Sequence, residues 1–344
     1  MPMTRRRFAR NLLAVSAGVG AAGSCSLLPL SAFAQKTGGS PSGAAAADRL
    51  ILLGTQGGPN YTPERSETAS ALVVDDATYL IDCGYGTLGA LIEAGLDYLD
   101  VGRVFLTHLH DDHTADLAAF LSHQWTSGRV SPTVVHGPHG TNALVGAAVA
   151  FGAANATIRR VDEARSVEPA KLFYGVDVSA SDEPVEVFRD DRVHVSAAEN
   201  THYPDDARAK MAHRSIAYRF DTPSRSIVFA GDTAYSPSLV ALARNADVLV
   251  CEAMEVNAMR RAFEAKVAAG AYADNPEGIW KHIVGTHVST EEAGRMAQEA
   301  KVKTLVMNHV LPGALGDLPD ETYIAGARKA FSGEIVVGHD LLTL

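Results

Sequence analysis

Thr107-His108-Leu109-His110-Asp111-Asp112-His113 follows directly on the apolar run Val104-Phe105-Leu106. Three imidazoles and two carboxylates stand within seven residues. Read as a strand end and a sharp turn, the stretch sends His108 and His110 to one side and Asp112 and His113 to the other. One loop can then serve two adjacent divalent ions. Imidazole with carboxylate suits zinc, and ligand type alone does not separate zinc from manganese or iron. The bland alternative is a polar surface loop, which does not account for so many ligand-grade side chains.

On either side of this loop the chain alternates between strand-like and helix-like runs. Arg49 to Thr55 reads as a first strand, turned by Gly57-Gly58-Pro59. Ala69 to Val74 and Thr78 to Ile81 read as a hairpin about Asp75-Asp76, running into Asp82-Cys83-Gly84. Helical periodicity covers residues 86–95 and 114–124, and an Ala-rich apolar helix covers 141–153. Thr133 to His136 reads as a short strand, and residues 155–191 as an irregular acidic stretch. Strands follow at Val193–Ala197, Ser215–Phe220, Ile227–Ala230, Val248–Val250, Thr304–Met307 and Ile335–Val337. Helices are expected near 237–244, 290–300 and 321–331, and residues 254–282 form a mixed insertion. Strands come first and then alternate with helices, twice over. This predicts an α/β chain folded as an αβ/βα four-layer sandwich, with further ligand-type residues (His202, Asp232, His309) just after strand ends.

The N-terminus carries Thr4-Arg5-Arg6-Arg7-Phe8-Ala9-Arg10, a mild apolar stretch to Leu30, and Ala32-Phe33-Ala34 before Gln35. It resembles a twin-arginine signal peptide over residues 1–34, followed by a flexible Gly/Ser/Ala-rich leader at 35–47 and one folded domain at 48–344. The expectation is export by the twin-arginine machinery to the periplasm or medium, with no stable membrane anchor. A transmembrane helix and a lipid anchor on Cys25 are the alternatives. Removing residues 1–34 removes four Arg and no acid, which leaves 26 basic against 40 acidic residues and a net charge of −14. So acidic a chain repels polyanions unless it has a local basic groove, so nucleic acid is not the expected partner. Three Cys exclude a disulfide framework; a Cys83–Cys251 pair is conceivable, and otherwise both read as small buried residues.

The metal loop, Asp82, His202, Asp232 and His309 together resemble the metallo-β-lactamase superfamily over residues 49–344. Gly54-Thr55, Pro63-Glu64-Arg65, Asp82-Cys83-Gly84, Val135-His136-Gly137-Pro138, Gly231-Asp232-Thr233 and His287-Val288-Ser289-Thr290 resemble its ribonuclease Z-like and arylsulfatase-like branch. The resemblance implies two metal sites: His108, His110 and His202 at one, Asp112, His113 and His309 at the other, with Asp232 bridging. It also implies a hydroxide shared by the ions as nucleophile, Asp82 supporting the loop from behind, and His287 as a non-ligand catalytic group at the leaving group. Asp112 doubles as a proton acceptor in this reading. Glu252 either supports a ligand histidine or caps a turn. His213 and His282 lie where they can rim a pocket; His123, His136, His139, His194 and His339 read as structural or exposed.

The function expected is an exported binuclear hydrolase of a small phosphodiester or aryl sulfate, a small-molecule ester partner with oligomerisation left open. The alternative is a lactonase or esterase; β-lactamase and tRNA-processing activity rank lower. A metal-binding scaffold without activity would have lost ligands, and none is missing here. The helix at 141–153 and Trp280 are candidates for lining an apolar pocket, which would suit an aryl or acyl group, and the sequence alone does not place them.

Overall fold

The computed structural model describes residues 48–313 and 318–344. The signal-peptide and leader segments, and Cys25, lie outside the described residues.

Six strands build the first sheet: β1 (Arg49–Gly54), β2 (Ala69–Val74), β3 (Ala77–Ile81), β4 (Arg103–Phe105), β5 (Thr133–Gly137) and β6 (Phe173–Asp177). They lie in sequence order, antiparallel from β1 to β3 and parallel from β3 to β6. Asp75, in the left-handed region at φ 53°, turns the β2–β3 hairpin as its Asp-Asp pair suggests. Seven strands build the second sheet: β7 (Val185–Arg189), β8 (His194–Glu199), β9 (Ile216–Asp221), β10 (Ser226–Phe229), β11 (Val248–Met254), β12 (Thr304–Leu311) and β13 (Glu334–Val337). Their order is the reverse, β13 to β7, antiparallel from β7 to β10 and parallel beyond.

Parallel strands carry helices on the outer face, so both their faces are buried and they read as continuous apolar runs. β11, Val-Leu-Val-Cys-Glu-Ala-Met, is buried at every position. The two sheets meet over one apolar layer that includes Leu50, Leu72, Phe105, Val195, Tyr218 and Val306. Outside the first sheet lie α1 (Thr87–Glu93), α2 (Leu117–Thr126), α3 (Thr141–Phe151) and α4 (Ala153–Asp162). The short α5 (Asp205–Arg208) sits in a loop. Outside the second sheet lies α6 (Pro237–Leu242); α7 (Val256–Ala268) and α8 (Pro276–Thr286) form a helical hairpin, and α9 (Thr290–Ala300) and α10 (Asp320–Arg328) complete the layer. This is the four-layer sandwich expected.

Two expectations need correction, and one open alternative is closed. Residues 155–191 are not irregular: they hold most of α4 and the strands β6 and β7, whose exposed edge positions hid their alternation. Cys83 and Cys251 are small buried residues as read, and the alternative of a pair between them is excluded, because Cys83 packs under the helices of the first sheet and Cys251 under those of the second. The apolar helix α3 packs on the first sheet, where Val145 and Ala148 are buried, and takes no part in the cavity described below. Among the described residues, no single helix is long and apolar enough to cross a membrane.

Candidate metal centre

Strand ends from both sheets deliver the side chains to one edge of the sandwich. β4 runs out into the loop of His108, His110, Asp112 and His113. β8 is followed by His202 and β10 by Asp232, and β12 carries His309 itself. The position of His309 has a local cause: β11 and β12 lose register between Glu252 and Ala253, so His309 is the extra residue of a β-bulge, with φ 45°. A bulged residue leaves the ladder and re-aims its side chain, here toward the other sheet.

Behind the loop, Asp82 sits at the end of β3 with φ 59°. Its carboxylate accepts from Thr107 N at 2.8 Å and from Thr107 Oγ1 at 2.9 Å, and lies 2.9 Å from His113 Nδ1. The His113 ring is thereby held with Nε2 facing the centre. Gly84 packs under the same loop, where a Cβ would fall 2.3 Å from the Asp112 carbonyl oxygen, so no larger residue fits.

Two clusters result. In the first, His108 Nε2 lies 3.0 Å from His110 Nδ1, and His202 Nε2 lies 3.2 Å from the same atom. His202 Nδ1 faces the Thr286 carbonyl at 3.2 Å, so its N–H is used there and Nε2 is left with a lone pair. In the second, His309 Nε2 lies 3.3 Å from Asp112 Oδ2 and 3.1 Å from Asp232 Oδ2, and His113 Nε2 lies 3.3 Å from Asp232 Oδ1. Asp232 also reaches back to His108 Nε2 at 3.9 Å and so touches both clusters.

The donor set fits divalent cations. Ligands about 2.0–2.1 Å from a tetrahedral ion stand about 3.3 Å apart, which matches the nitrogen–nitrogen spacings of the first cluster. Buried His113 Nε2 and Asp232 Oδ1 have no well-aligned hydrogen-bond partner, a costly arrangement unless something else occupies the space between. The electrostatics agree. Burial, reinforced by neighbouring imidazoles, holds His108 well below the ordinary imidazole range, and burial does the same at His202; both are neutral lone-pair donors. At His309 burial pulls down, but Asp232 and Asp112 prevail and raise it to about 10. Asp112 moves the other way, to about 2, because His113 and His309 outweigh its burial. At His113 too, burial pulls down but Asp232, Asp82 and Asp112 prevail and raise it, so the carboxylates of the second cluster draw positive charge onto the ring nitrogens that face them. One contact competes: Gly58 N donates to His309 Nε2 at 3.1 Å, and that lone pair cannot serve an N–H and an ion together.

His287 stands beside both clusters. Its Nδ1 lies 2.7 Å from Glu252 Oε2, and its ring stacks on His309 at 5.7 Å and 6°. Glu252 is buried, and its other oxygen accepts from Thr233 N at 2.6 Å. This is neither of the two roles expected of Glu252: its hydrogen bond goes to His287, which is outside the predicted ligand set, and the predicted ligand His309 stands further off, with Nδ1 at 3.7 Å. Burial pulls the His287 imidazole down, and Glu252 more than restores it.

The clusters open onto a cavity of about 270 Å³ between the metal loop and the α7–α8 hairpin. His282, on α8, lines it as expected of a rim residue. His213 does not: it packs against His139, bonded to that residue's backbone oxygen at 3.1 Å. Trp280 also turns away, onto Phe263 and beneath Arg260, in a separate groove of about 390 Å³ outside the hairpin. Thr286, whose carbonyl orients His202, carries no signal in the sequence, since any residue supplies that atom.

The sequence profile of the metallo-beta-lactamase superfamily matches residues 63–309. A ribonuclease Z of Mycobacterium bovis is 31% identical over 297 residues, which span 85% of this chain and 96% of that one. A ribonuclease Z of Mycobacterium marinum is 30% identical over 297 residues, with the same coverage. In fold, the chain is similar to the metallo-beta-lactamase fold protein YhfI from Bacillus subtilis, with a TM-score of 0.60 at 18% identity over 86% of this chain and 98% of that one. It is also similar to the short form of human tRNase Z, with a TM-score of 0.57 at 20% identity over the same shares. The fold, the paired His/Asp clusters and these relatives lead to one conclusion: the chain belongs to the metallo-beta-lactamase superfamily and is one of its metallo-hydrolases.

Proposed function

We propose that this protein hydrolyses a small phosphodiester or aryl sulfate ester at a binuclear centre, with His108, His110 and His202 holding one ion, Asp112, His113 and His309 the other, and Asp232 shared. The observation that carries the reading is Asp232 within reach of both clusters at the floor of a small cavity. Two zinc ions are the expected occupants; when bound they polarise the ester and make water nucleophilic at neutral pH. The remaining steps belong to side chains. Asp112 takes the proton released as water attacks phosphorus or sulfur. The bond to the leaving oxygen breaks, and His287, held by Glu252, returns a proton to that oxygen from Nε2. Asp82 keeps His113 in the required tautomer.

The names of the mycobacterial relatives favour a second reading, cleavage of a tRNA precursor. Against it stand the net charge of −10 and a cavity lined by no Lys or Arg among the described residues. A nuclease gripping a polyanion needs such cations. Lactone hydrolysis is the acyl alternative. Rates of the zinc-loaded protein on an aryl phosphodiester, an aryl sulfate, a lactone and a precursor tRNA, with Asp112→Ala as blank, separate the three. A lead for the diester or sulfate is expected; a lead for the lactone or the RNA would replace this reading.

Residues 1–34 carry the second half of the proposal: a twin-arginine leader that exports the folded enzyme. The support is the Arg5-Arg6 pair ahead of an apolar stretch and an Ala-x-Ala site. N-terminal sequencing of periplasmic protein should begin at Gln35, and Arg5→Lys with Arg6→Lys should leave the chain uncleaved in the cytoplasm; export of that double variant would refute it.

A further inference from the structure

The cavity above the metal clusters has two unlike walls. One carries His110, Asp112, Asp232, His287 and His309; the other carries Met259, Tyr272, Ile279, Ile283 and Leu311. Four of these five apolar side chains come from the α7–α8 hairpin and the turn between its helices. The wall is preformed. Met254, Met259 and Leu311 pack with Val256, Trp280 and Ile283 into a cluster of their own. Tyr272 stacks on Phe263 at 5.5 Å and 11°, Glu255 caps α7 by accepting from Ala258 N at 2.6 Å, and Lys266 donates to Asn60 across the cavity rim. Asp111, which is exposed, adds negative charge at the mouth. A second phosphate or a sugar–phosphate chain would meet these acids and apolar carbons, with no Lys or Arg in the lining and Lys266 at the rim already engaged by Asn60.

We propose that the α7–α8 hairpin is the leaving-group subsite, built for an uncharged planar apolar group such as an aryl ring, while the ester's single anionic head sits on the metal face. This rests on the ester-hydrolase reading above and adds the substrate class to it. The volume, about 270 Å³, is at the small end of ligand pockets and suits one ring or two.

Calorimetric binding of phenylphosphonate and methylphosphonate to the zinc-loaded protein tests this without turnover. Both share the anionic head, so any difference belongs to the ring. Phenylphosphonate should bind at least about tenfold more tightly, the effect of taking one ring out of water. Ile283→Ser and Tyr272→Ala, both at partly exposed positions, should each reduce that preference to about threefold or less and leave methylphosphonate unchanged. Equal affinities in the unaltered protein, a comparison that needs no variant to fold, would overturn the subsite alone, as would a preference that survives both substitutions. Failure of both anions to bind would overturn the subsite together with the ester reading beneath it.

Discussion

Asp232 is the residue on which the centre turns. It is buried, its Oδ1 has no well-aligned hydrogen-bond partner, and it stands between the three-histidine cluster and the one with Asp112, His113 and His309. Asp232→Ala should therefore abolish hydrolysis and lower metal content at both clusters. Elemental analysis showing two ions per chain in that variant would remove its bridging role. His287 makes a contrasting case. It sits between Glu252 and the cavity, on the line of the ligands but one ring further out. His287→Ala should lower kcat by about 10²–10⁴ with metal content intact, the usual span for one acid–base group; loss of metal would make it a ligand. Both residues stand out in the sequence because each lies within a stretch that resembles a family pattern, Gly231-Asp232-Thr233 and His287-Val288-Ser289-Thr290. Glu252 is only half legible: an acid ending an apolar run signals a buried role, but its partner His287 lies 35 residues on and is met only in the fold. His213 shows the opposite failure, since nearness in sequence to the expected rim says nothing of where its loop packs.

At the scale of elements, α8 and α9 hold His287 between them. α8 ends at Thr286, His287 is extended, and α9 starts with a capping box in which Ser289 Oγ accepts from Glu292 N at 3.2 Å. Ser289→Ala should cost about 1 kcal/mol, seen as a lower urea midpoint with an unchanged slope; an unchanged midpoint would mean that packing alone fixes the start of α9. The last turn of α8 also reaches the centre, because the Thr286 carbonyl orients His202. The hairpin is thus tied both to the metal face and to the cavity wall. The sequence showed only a mixed stretch at 254–282, neither the pairing of its two helices nor their orientation. Trp280, the most apolar-looking candidate for the pocket, turns outward because Phe263 and Arg260 enclose it there, and the lining falls to Ile279 and Ile283 on the next face of the same helix.

For the whole molecule, the clusters are a clasp between two sheets. His108, His110, Asp112 and His113 come from the first; His202, Asp232 and His309 come from the second. Ions bound there stabilise the folded state by mass action, about 2.7 kcal/mol at a hundredfold excess over Kd. Chelator should therefore lower Tm by roughly 5 °C or more, and zinc should restore it; a melting curve indifferent to both would separate the sites from the fold. Acid should act through β5. His136 is buried against Phe105 at 4.9 Å, with neither ring nitrogen hydrogen-bonded, and burial, then Arg103, lowers it to about 4. Its neutral form is the folded one, so the stability tied to it is complete above the unfolded value near 6.5 and is lost as pH falls toward 4, by at most about 3 kcal/mol. His136→Phe should lose less stability than the unaltered protein between pH 7 and pH 4.5 in urea titrations; equal losses would mean that His136 is not the group responsible. The sequence by itself determined the layered fold, because apolar periodicity and turn residues are local properties. It also marked the metal-binding type of side chain, since His108 to His113 form one contiguous stretch dense in imidazole and carboxylate. Only the tertiary structure decided which distant side chains meet. Asp232 joins His113 and His309 because two sheets stack with their strand ends at one edge, and a one-residue bulge aims His309 across the gap. The pairing of Glu252 with His287 and the choice of Ile283 over Trp280 as cavity wall are likewise set by packing between elements, where separation along the chain carries no information about distance.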